Sequence, residues 1–341
     1  MNTQSALPNW AYAYGGAQSQ GIIRKTPDDF IVNEIQSFEL SGVGEHAFLL
    51  IEKCGENTEF VARQLARCAS VRQRDVSYAG LKDRHARTTQ WFSVWLPGKP
   101  DPDWTILNSD SIKILQAKRH TRKLKRGSLA GNQFILRIQE WQGDKAVLEQ
   151  QLHAIKEQGV PNYFGAQRFG RNCSNIARAL ALFAGEKISR NQRGIYLSTA
   201  RSYLFNHILS ERVANHSWKQ ALVGDALMFD DSHSFFQVEV LDESILQRIA
   251  QLELHPTAVL WGKGEAQVAG EVMLLEQRII DQFDDLAQGL IAFGIEKDRR
   301  ALRSQVKELQ WDVIGDNCLE LSFSLNAGCY ATAVLREIAQ V

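Results

Sequence analysis

Asp83 is the one acidic residue between Tyr78 and Trp91, where the chain reads Tyr-Ala-Gly-Leu-Lys-Asp-Arg-His-Ala-Arg-Thr-Thr-Gln-Trp. Lys82 and Arg84 flank it, and His85 and Arg87 follow. Neighbouring positive charge favours the ionised form of a carboxylate. An ionised carboxylate at the end of a strand can act as a nucleophile. An aspartate that orders a turn or pairs with an arginine has the same local signature. Spacing alone therefore leaves both roles open.

Other chemistries lack their residues. There is no G-x-x-x-x-G-K-[ST], no H-E-x-x-H and no G-x-S-x-G, and Gly262-Lys-Gly264 is not completed to G-x-G-x-x-G because Gln267 stands at the last position. Ser304-Gln-Val-Lys307 fits S-x-x-K, but it lies in a stretch that reads as a charged helix surface. The eight histidines are scattered, which argues against a metal site. The five cysteines (Cys54, Cys68, Cys173, Cys318 and Cys329) form no CxxC pair and predict reduced thiols. The expectation is an enzyme without metal or cofactor.

The elements that must hold Asp83 can be read from periodicity. Asp29 to Glu34 predicts a strand. Asn57 is placed to cap a helix over about 58–70, with Phe60, Val61, Leu65 and Cys68 inward. Val76 to Ala79 is a short strand ended by Gly80. Thr89 to Leu96 is large on both faces, as in a strand buried on both sides. Phe134, Leu136 and Ile138 recur at period two. After Trp141 the pattern turns helical. Asp144 is a plausible N-cap, and Leu148, Leu152 and Ile155 share a face up to Gly159. Residues 159–170 predict a structured loop. Residues 174–295 read as largely helical, with Ser198 capping one helix and a single long periodicity from Val268 through Leu275 and Phe283 to Leu290. A β-rich piece over about 221–240 interrupts them. Leu319, Leu321, Phe323 and Leu325 alternate along a strand, and a helix over about 331–338 closes the chain.

The length of 341 residues predicts two domains, and 44% apolar with 23% charged residues is ordinary for globular chains. An α/β start, helical middle and β end predict a helical insertion within a discontinuous α/β domain. Net charge is zero, yet residues 111–139 carry eight basic residues and no acid. Six of them, Lys118, Arg119, Arg122, Lys123, Lys125 and Arg126, form a run suited to phosphates, or merely a solvated loop. The first basic residue is Arg24, so a signal peptide is not expected. No apolar run approaches a membrane span, and the prediction is a cytoplasmic protein.

Five segments together bear a family resemblance. Gly80-Leu-Lys-Asp-Arg-His-Ala86 with Thr89-Gln-Trp91 resembles the signature of the TruD family of tRNA pseudouridine synthases. Pro27-Asp-Asp-Phe-Ile-Val-Asn-Glu34 is similar to the family's N-terminal motif, and Leu129-Ala-Gly-Asn-Gln-Phe134 to its G-N-x-F motif. Val160-Pro-Asn-Tyr-Phe-Gly-Ala-Gln-Arg-Phe-Gly170 resembles the start of its inserted domain. Leu325-Asn-Ala-Gly-Cys-Tyr-Ala-Thr332 with Leu335-Arg-Glu337 resembles its C-terminal motif.

The resemblance implies an α/β (α+β) fold: a discontinuous catalytic domain over 1–157 and 305–341, and an inserted, mainly helical domain over 158–304. It implies Asp83 as nucleophile, with Phe30, Asn132 and Tyr330 at the target nucleotide and Phe134 more weakly so. Read without the resemblance, Phe30, Phe134 and Tyr330 could be core aromatics and Asn132 a turn residue. The implied partner is tRNA, the implied target uridine 13 of the D arm, and the implied reaction an isomerisation. Two departures stand out. Tyr330 replaces a frequent Phe and adds a hydroxyl. Arg24 replaces a frequent Lys, giving a forked rather than point-like cation if it pairs with Asp83. Two rivals follow from the residues: a non-catalytic RNA-binding module, and a glycosidase pairing Asp83 with Asp28 or Asp29.

Overall fold

The computed structural model describes residues 7–315 and 317–341. Strands β1 (Ser19–Ile22) and β2 (Phe30–Ile35) are joined by a 3-10 turn that begins at Pro27, a residue whose fixed φ suits a first helical position. β3 (His46–Cys54) leads to α1 (Thr58–Cys68), which buries Val61 and Leu65 and leaves Phe60 and Cys68 half-buried. β4 (Val76–Tyr78) and β5 (Arg87–Trp95) bracket the Asp83 loop. β5 is buried on both faces, as its run of large side chains predicts. β6 (Ile112–His120) and β7 (Gly131–Gly143) follow, and β7 buries Phe134, Leu136 and Ile138 at period two.

Helix α2 (Lys145–Gln158) begins where the Asp144 carboxylate accepts from the N–H groups of Ala146 at 2.8 Å and Val147 at 3.2 Å. It stops at Gly159, where φ is +74° and a Cβ would meet the Ser304 carbonyl oxygen at 2.5 Å. Then come β8 (Val160–Pro161), α3 (Ser174–Phe183), α4 (Arg190–Ala214), β9 (Ala226–Phe229), β10 (Phe235–Gln237), α5 (Glu243–Ala250), β11 (Leu254–Leu260), α6 (Gly270–Ile280), α7 (Asp284–Ala292), β12 (Asp298–Ala301) and β13 (Arg303–Ser304). The chain ends with β14 (Lys307–Ile314), β15 (Cys318–Asn326) and α8 (Ala331–Ile338).

These elements form two compact units in a mixed α/β fold. One comprises residues 19–143 and 307–328. The other comprises residues 7–18, 144–306 and 329–340. By contacts, α2 and α8 thus belong with the inserted segment, on the other side of the boundary expected from sequence. The first unit is built on one sheet in the order β14-β15-β7-β2-β5-β3-β6, with β1 on the C-terminal stretch of β7 from Gln139 to Gly143 and β4 on β5. Only the β2–β5 pairing is parallel among these. The second unit has a sheet ordered β10-β9-β11-β12, and α4 packs on β11 and α3 around a core that includes Phe169, Tyr203, Phe205 and Trp218.

Three sequence expectations need correction. The Val268–Leu290 periodicity is two helices, because Phe283 leaves helical geometry (φ −129°, ψ 44°) to place its ring 5.5 Å from Tyr203 and 4.5 Å from His207. Asp284 and Asp285 then start α7, where negative charge suits a helix N-terminus. The helix expected to be capped by Ser198 is capped nine residues earlier by Ser189, and Ser198 instead accepts from Arg168 at 3.1 Å. Ser304–Lys307 is not an exposed helix. Arg303 and Ser304 are buried on a strand, with Arg303 donating to His255 and to the carbonyls of Ile249 and Leu254. A buried, fully partnered arginine looks in sequence like surface charge.

The second unit also buries a two-pronged ion pair. Arg212 donates to the two Asp225 oxygens at 3.0 and 2.9 Å, with side-chain exposures of 1% and 0%. Arg212→Leu leaves Asp225 as an uncompensated buried charge. It is expected to lower stability by about 3–5 kcal/mol, read as a fall in the urea midpoint of this unit.

Candidate active site

The sheet opens where Asp83 sits. β3 covers one edge of β5 throughout. The other edge is shared: β2 pairs with residues 87–89 and β4 with residues 92–94. The C-terminal ends of β2 and β4 therefore converge on Gln90. From there the Gln90 amide donates to the Gly80 carbonyl at 3.2 Å and anchors the start of the loop. Thr58, the first residue of α1, donates to the Gln90 oxygen at 2.9 Å and accepts from the Lys82 N–H at 3.1 Å.

Lys82 fixes the middle of that loop. Its buried ammonium lies 3.0 Å from the Glu34 carboxylate on β2 and donates to the Asn132 side-chain oxygen on β7 at 2.7 Å. Glu34 and Asn132 face each other across the β2–β7 ladder, so two strands present their polar groups to one cation. Gly131 makes this register possible, since a Cβ there would meet the Leu325 carbonyl oxygen of β15 at 2.2 Å.

Asp83 follows immediately. One carboxylate oxygen accepts from the Arg24 guanidinium at 3.0 Å, and the other from the His85 N–H at 3.0 Å. The side chain remains 28% exposed, so the carboxylate is reachable rather than sealed into its ion pair. Arg24 adopts φ +59° and stacks on the Phe30 ring at 4.0 Å. The pairing of Arg24 with Asp83, a possibility in the sequence, is present in the structure.

Beneath the loop lies a residue the motif reading missed. Lys53 on β3 is 1% exposed, and its ammonium donates to the main-chain carbonyls of Asp83 at 3.0 Å and Glu56 at 2.9 Å. Burial pushes its pKa down from 10.5 to about 8. Nearby Asp83, Cys54 and Glu56 oppose that shift and Lys82 adds to it. A signal was present: Leu49, Ile51 and Lys53 point inward at period two, and a charge on an inward face asks for a reason.

The other sequence candidates are distributed as follows. Phe30 is buried under Arg24 and meets Phe134 edge to face at 6.5 Å. Asn132 is half-buried in the Lys82 network. Tyr330 belongs to the other unit, where its hydroxyl accepts from Arg168 at 2.8 Å and its ring lies 6.0 Å from Phe164. In the basic run, Arg119 is committed to Asp101 at 3.1 Å and to the Lys99 carbonyl at 2.7 Å. Lys118, Arg122, Lys123, Lys125 and Arg126 are exposed.

The carboxylates of the glycosidase rival are occupied. Asp28 pairs with Arg87, whose hydrogen bond holds it below the usual carboxylate range. Asp29 is buried, which pushes its pKa up. The Gln139 and Thr26 hydrogen bonds outweigh that and hold it low. Neither environment makes the raised-pKa general acid that glycoside hydrolysis requires.

The family model described as tRNA pseudouridine synthase D (TruD) matches residues 9–182 and 178–338. The chain belongs to the TruD family. It is 50% identical over 330 residues to tRNA pseudouridine synthase D of Methylococcus capsulatus, covering 96% of this chain and 93% of that protein. It is 47% identical over 329 residues to the protein of that name from Pseudomonas syringae pv. syringae, with the same coverages. A crystal structure assigned to tRNA pseudouridine synthase D from Methanosarcina mazei superposes with a TM-score of 0.75 at 21% identity over 97% of this chain and 96% of that one, which speaks for the fold. Among the described residues, no helix is long and apolar enough to cross a membrane.

Two tests follow for this TruD-family site. Lys82→Met strands the buried Glu34 carboxylate and is expected to cost about 3–5 kcal/mol in urea unfolding, with Glu34→Gln on top recovering part of the loss. Lys53 loses its proton in the folded chain near pH 8 and in the unfolded chain only near 10.5. Below pH 8 both states are protonated and the burial cost is fully present. Between the two values the unfolded chain binds the extra proton, so stability rises with pH. Urea unfolding at about pH 7 and about pH 9.5 should show the wild type gaining on Lys53→Met as pH rises.

Proposed function

We propose that this chain isomerises a uridine of tRNA to pseudouridine, with Asp83 as the nucleophile, and that the target is uridine 13 of the D arm. The observation that carries this reading is the Asp83 carboxylate: oriented by Arg24 and the His85 N–H, surrounded by Lys53 and Lys82, and open to a ligand. The names of the relatives support the reaction, and the family resemblance supports the position. A tRNA substrate supports a cytoplasmic site of action.

The reaction breaks the N1–C1′ bond, turns the uracil and joins C5 to C1′. The C5 proton is lost and N1 gains one, so nothing is oxidised or reduced. In one route an Asp83 oxygen bonds to C1′ as uracil leaves, and C5 later displaces it, as in a retaining glycosidase. In the other the carboxylate removes the C2′ proton as uracil leaves to give a glycal, and C5 then bonds to C1′ as the proton returns to C2′. Both need an ionised carboxylate held still against the sugar. Arg24 serves both by fixing one oxygen and accommodating the charge as it shifts between carboxylate and nucleotide.

The uridine must leave its stack, at a cost of a few kcal/mol. Asn132 spends its oxygen on Lys82 and offers its amide nitrogen to the base. Phe30 supports Arg24, and the family resemblance is what supports a role for the Tyr330 ring at the nucleotide. Aromatic stacking of a base returns about 1–3 kcal/mol. The basic run from Lys118 to Arg126 meets phosphates without reading sequence.

Chemical mapping of pseudouridine in tRNA treated with wild type and Asp83→Asn tests the proposal. One modified position is expected with wild type. The variant should bind tRNA unchanged and lose about 10⁴-fold or more in rate, as when other enzymes lose a nucleophile. Undiminished modification by the variant would return Asp83 to a turn-ordering role.

A further inference from the structure

A second concave site lies one turn of chain from Asp83. A cavity of about 550 Å³ is bounded on one side by Arg74, Ser77 and Tyr78 and on the other by Lys123, Lys125 and Arg126. No carboxylate lines it among the described residues. Its volume is within the range of small-ligand clefts. From Tyr78 the chain reaches Asp83 in five residues, ~18 Å at full stretch.

The cationic wall is built rather than draped. Leu124 is buried beside Phe48, Ala79 and Trp91, and its N–H donates to the Ser93 hydroxyl at 3.1 Å. That anchor turns Lys123 and Lys125 outward on either side. Gly127, at φ +79°, donates to the Ala79 carbonyl at 2.8 Å and ties the wall to the start of the Asp83 loop. Lys123 reaches across to the Arg74 carbonyl at 3.4 Å. Arg126 lies over the Tyr78 ring at 5.3 Å. The cavity thus offers four cations with one aromatic face.

We propose that this cavity is a nucleotide subsite for the RNA strand, in which Arg74, Lys125 and Arg126 hold phosphodiesters and a base stacks against the Tyr78–Arg126 pair. The proposal rests on the reading of the chain as an RNA-modifying enzyme and adds where the strand runs on leaving Asp83. Phosphate contacts there fix register, and stacking on Tyr78 is tolerant of base identity.

The test is the triple variant Arg74→Gln, Lys125→Gln, Arg126→Gln, none of which touches Asp83. With tRNA as substrate, KM is expected to rise about tenfold while kcat holds. The slope of log affinity against log salt should flatten by about 2, the counterions of the lost phosphate contacts. Tyr78 should cross-link to 4-thiouridine-substituted tRNA in the wild type. An unchanged KM and salt slope, or no cross-link in the 74–78 and 123–126 peptides, overturns the subsite. So does a site that takes up inorganic phosphate as strongly as tRNA. The underlying activity is read separately, from wild-type turnover. If that were absent, filter binding of tRNA to wild type and triple variant would still decide whether the groove holds RNA.

Discussion

A lysine ammonium under a sheet must find its charge and hydrogen-bond partners in one place, and Lys82 finds them on two strands at once. Glu34 on β2 and Asn132 on β7 are adjacent only because those strands pair in a fixed register. A slip of either strand by one residue would turn its side chain to the other face and part the two. The next residue along, Asp83, therefore inherits the rigidity of the sheet although it stands in a loop. Thr58 and Gln90 hold the same loop from the side of α1 and β5, and Lys53 holds its carbonyl from below.

The arrangement sets one anion among cations of different duty. Arg24 touches the carboxylate, Lys53 supports its backbone, and Lys82 fixes its neighbour. Burying Lys53 is unfavourable in the charged form, as its depressed pKa records. Such a cost is tolerated where the surrounding structure is over-determined. The same unit then extends, through β4 and the Leu124-anchored segment, into a cationic wall a short chain path away. Both features grow from β5 and its divided edge.

Local rules carried much of the fold. The Asp144 cap, the double-sided burial of β5, the alternation of β7 and β15, and α8 were all legible because each depends on neighbours a few residues apart. The break before α7 was not, because Phe283 answers to Tyr203 and His207 rather than to its own helix period. The Ser304–Lys307 stretch misled for a similar reason, since it continues from Arg303, whose partners are His255 and distant carbonyls. At the site, Asp83 stood out by charge and spacing, and Arg24 only through the family resemblance. The meeting of Glu34, Lys82 and Asn132 did not, since it is a property of strand register. The contacts of Tyr330 with Arg168 and Phe164 were not legible either, since those partners lie some 160 residues earlier in the chain.

The central claim is that the Asp83 carboxylate, as held by Arg24 and the Lys82 network, meets the sugar of an everted uridine. A crystal structure of the protein with a tRNA D-arm fragment measures this directly. The account predicts an Asp83 oxygen within about 3–3.5 Å of C1′ or the C2′ hydrogen, with Lys82 still joined to Glu34 and Asn132. A uridine bound elsewhere, with Asp83 turned away into its contact with Arg24, would contradict it.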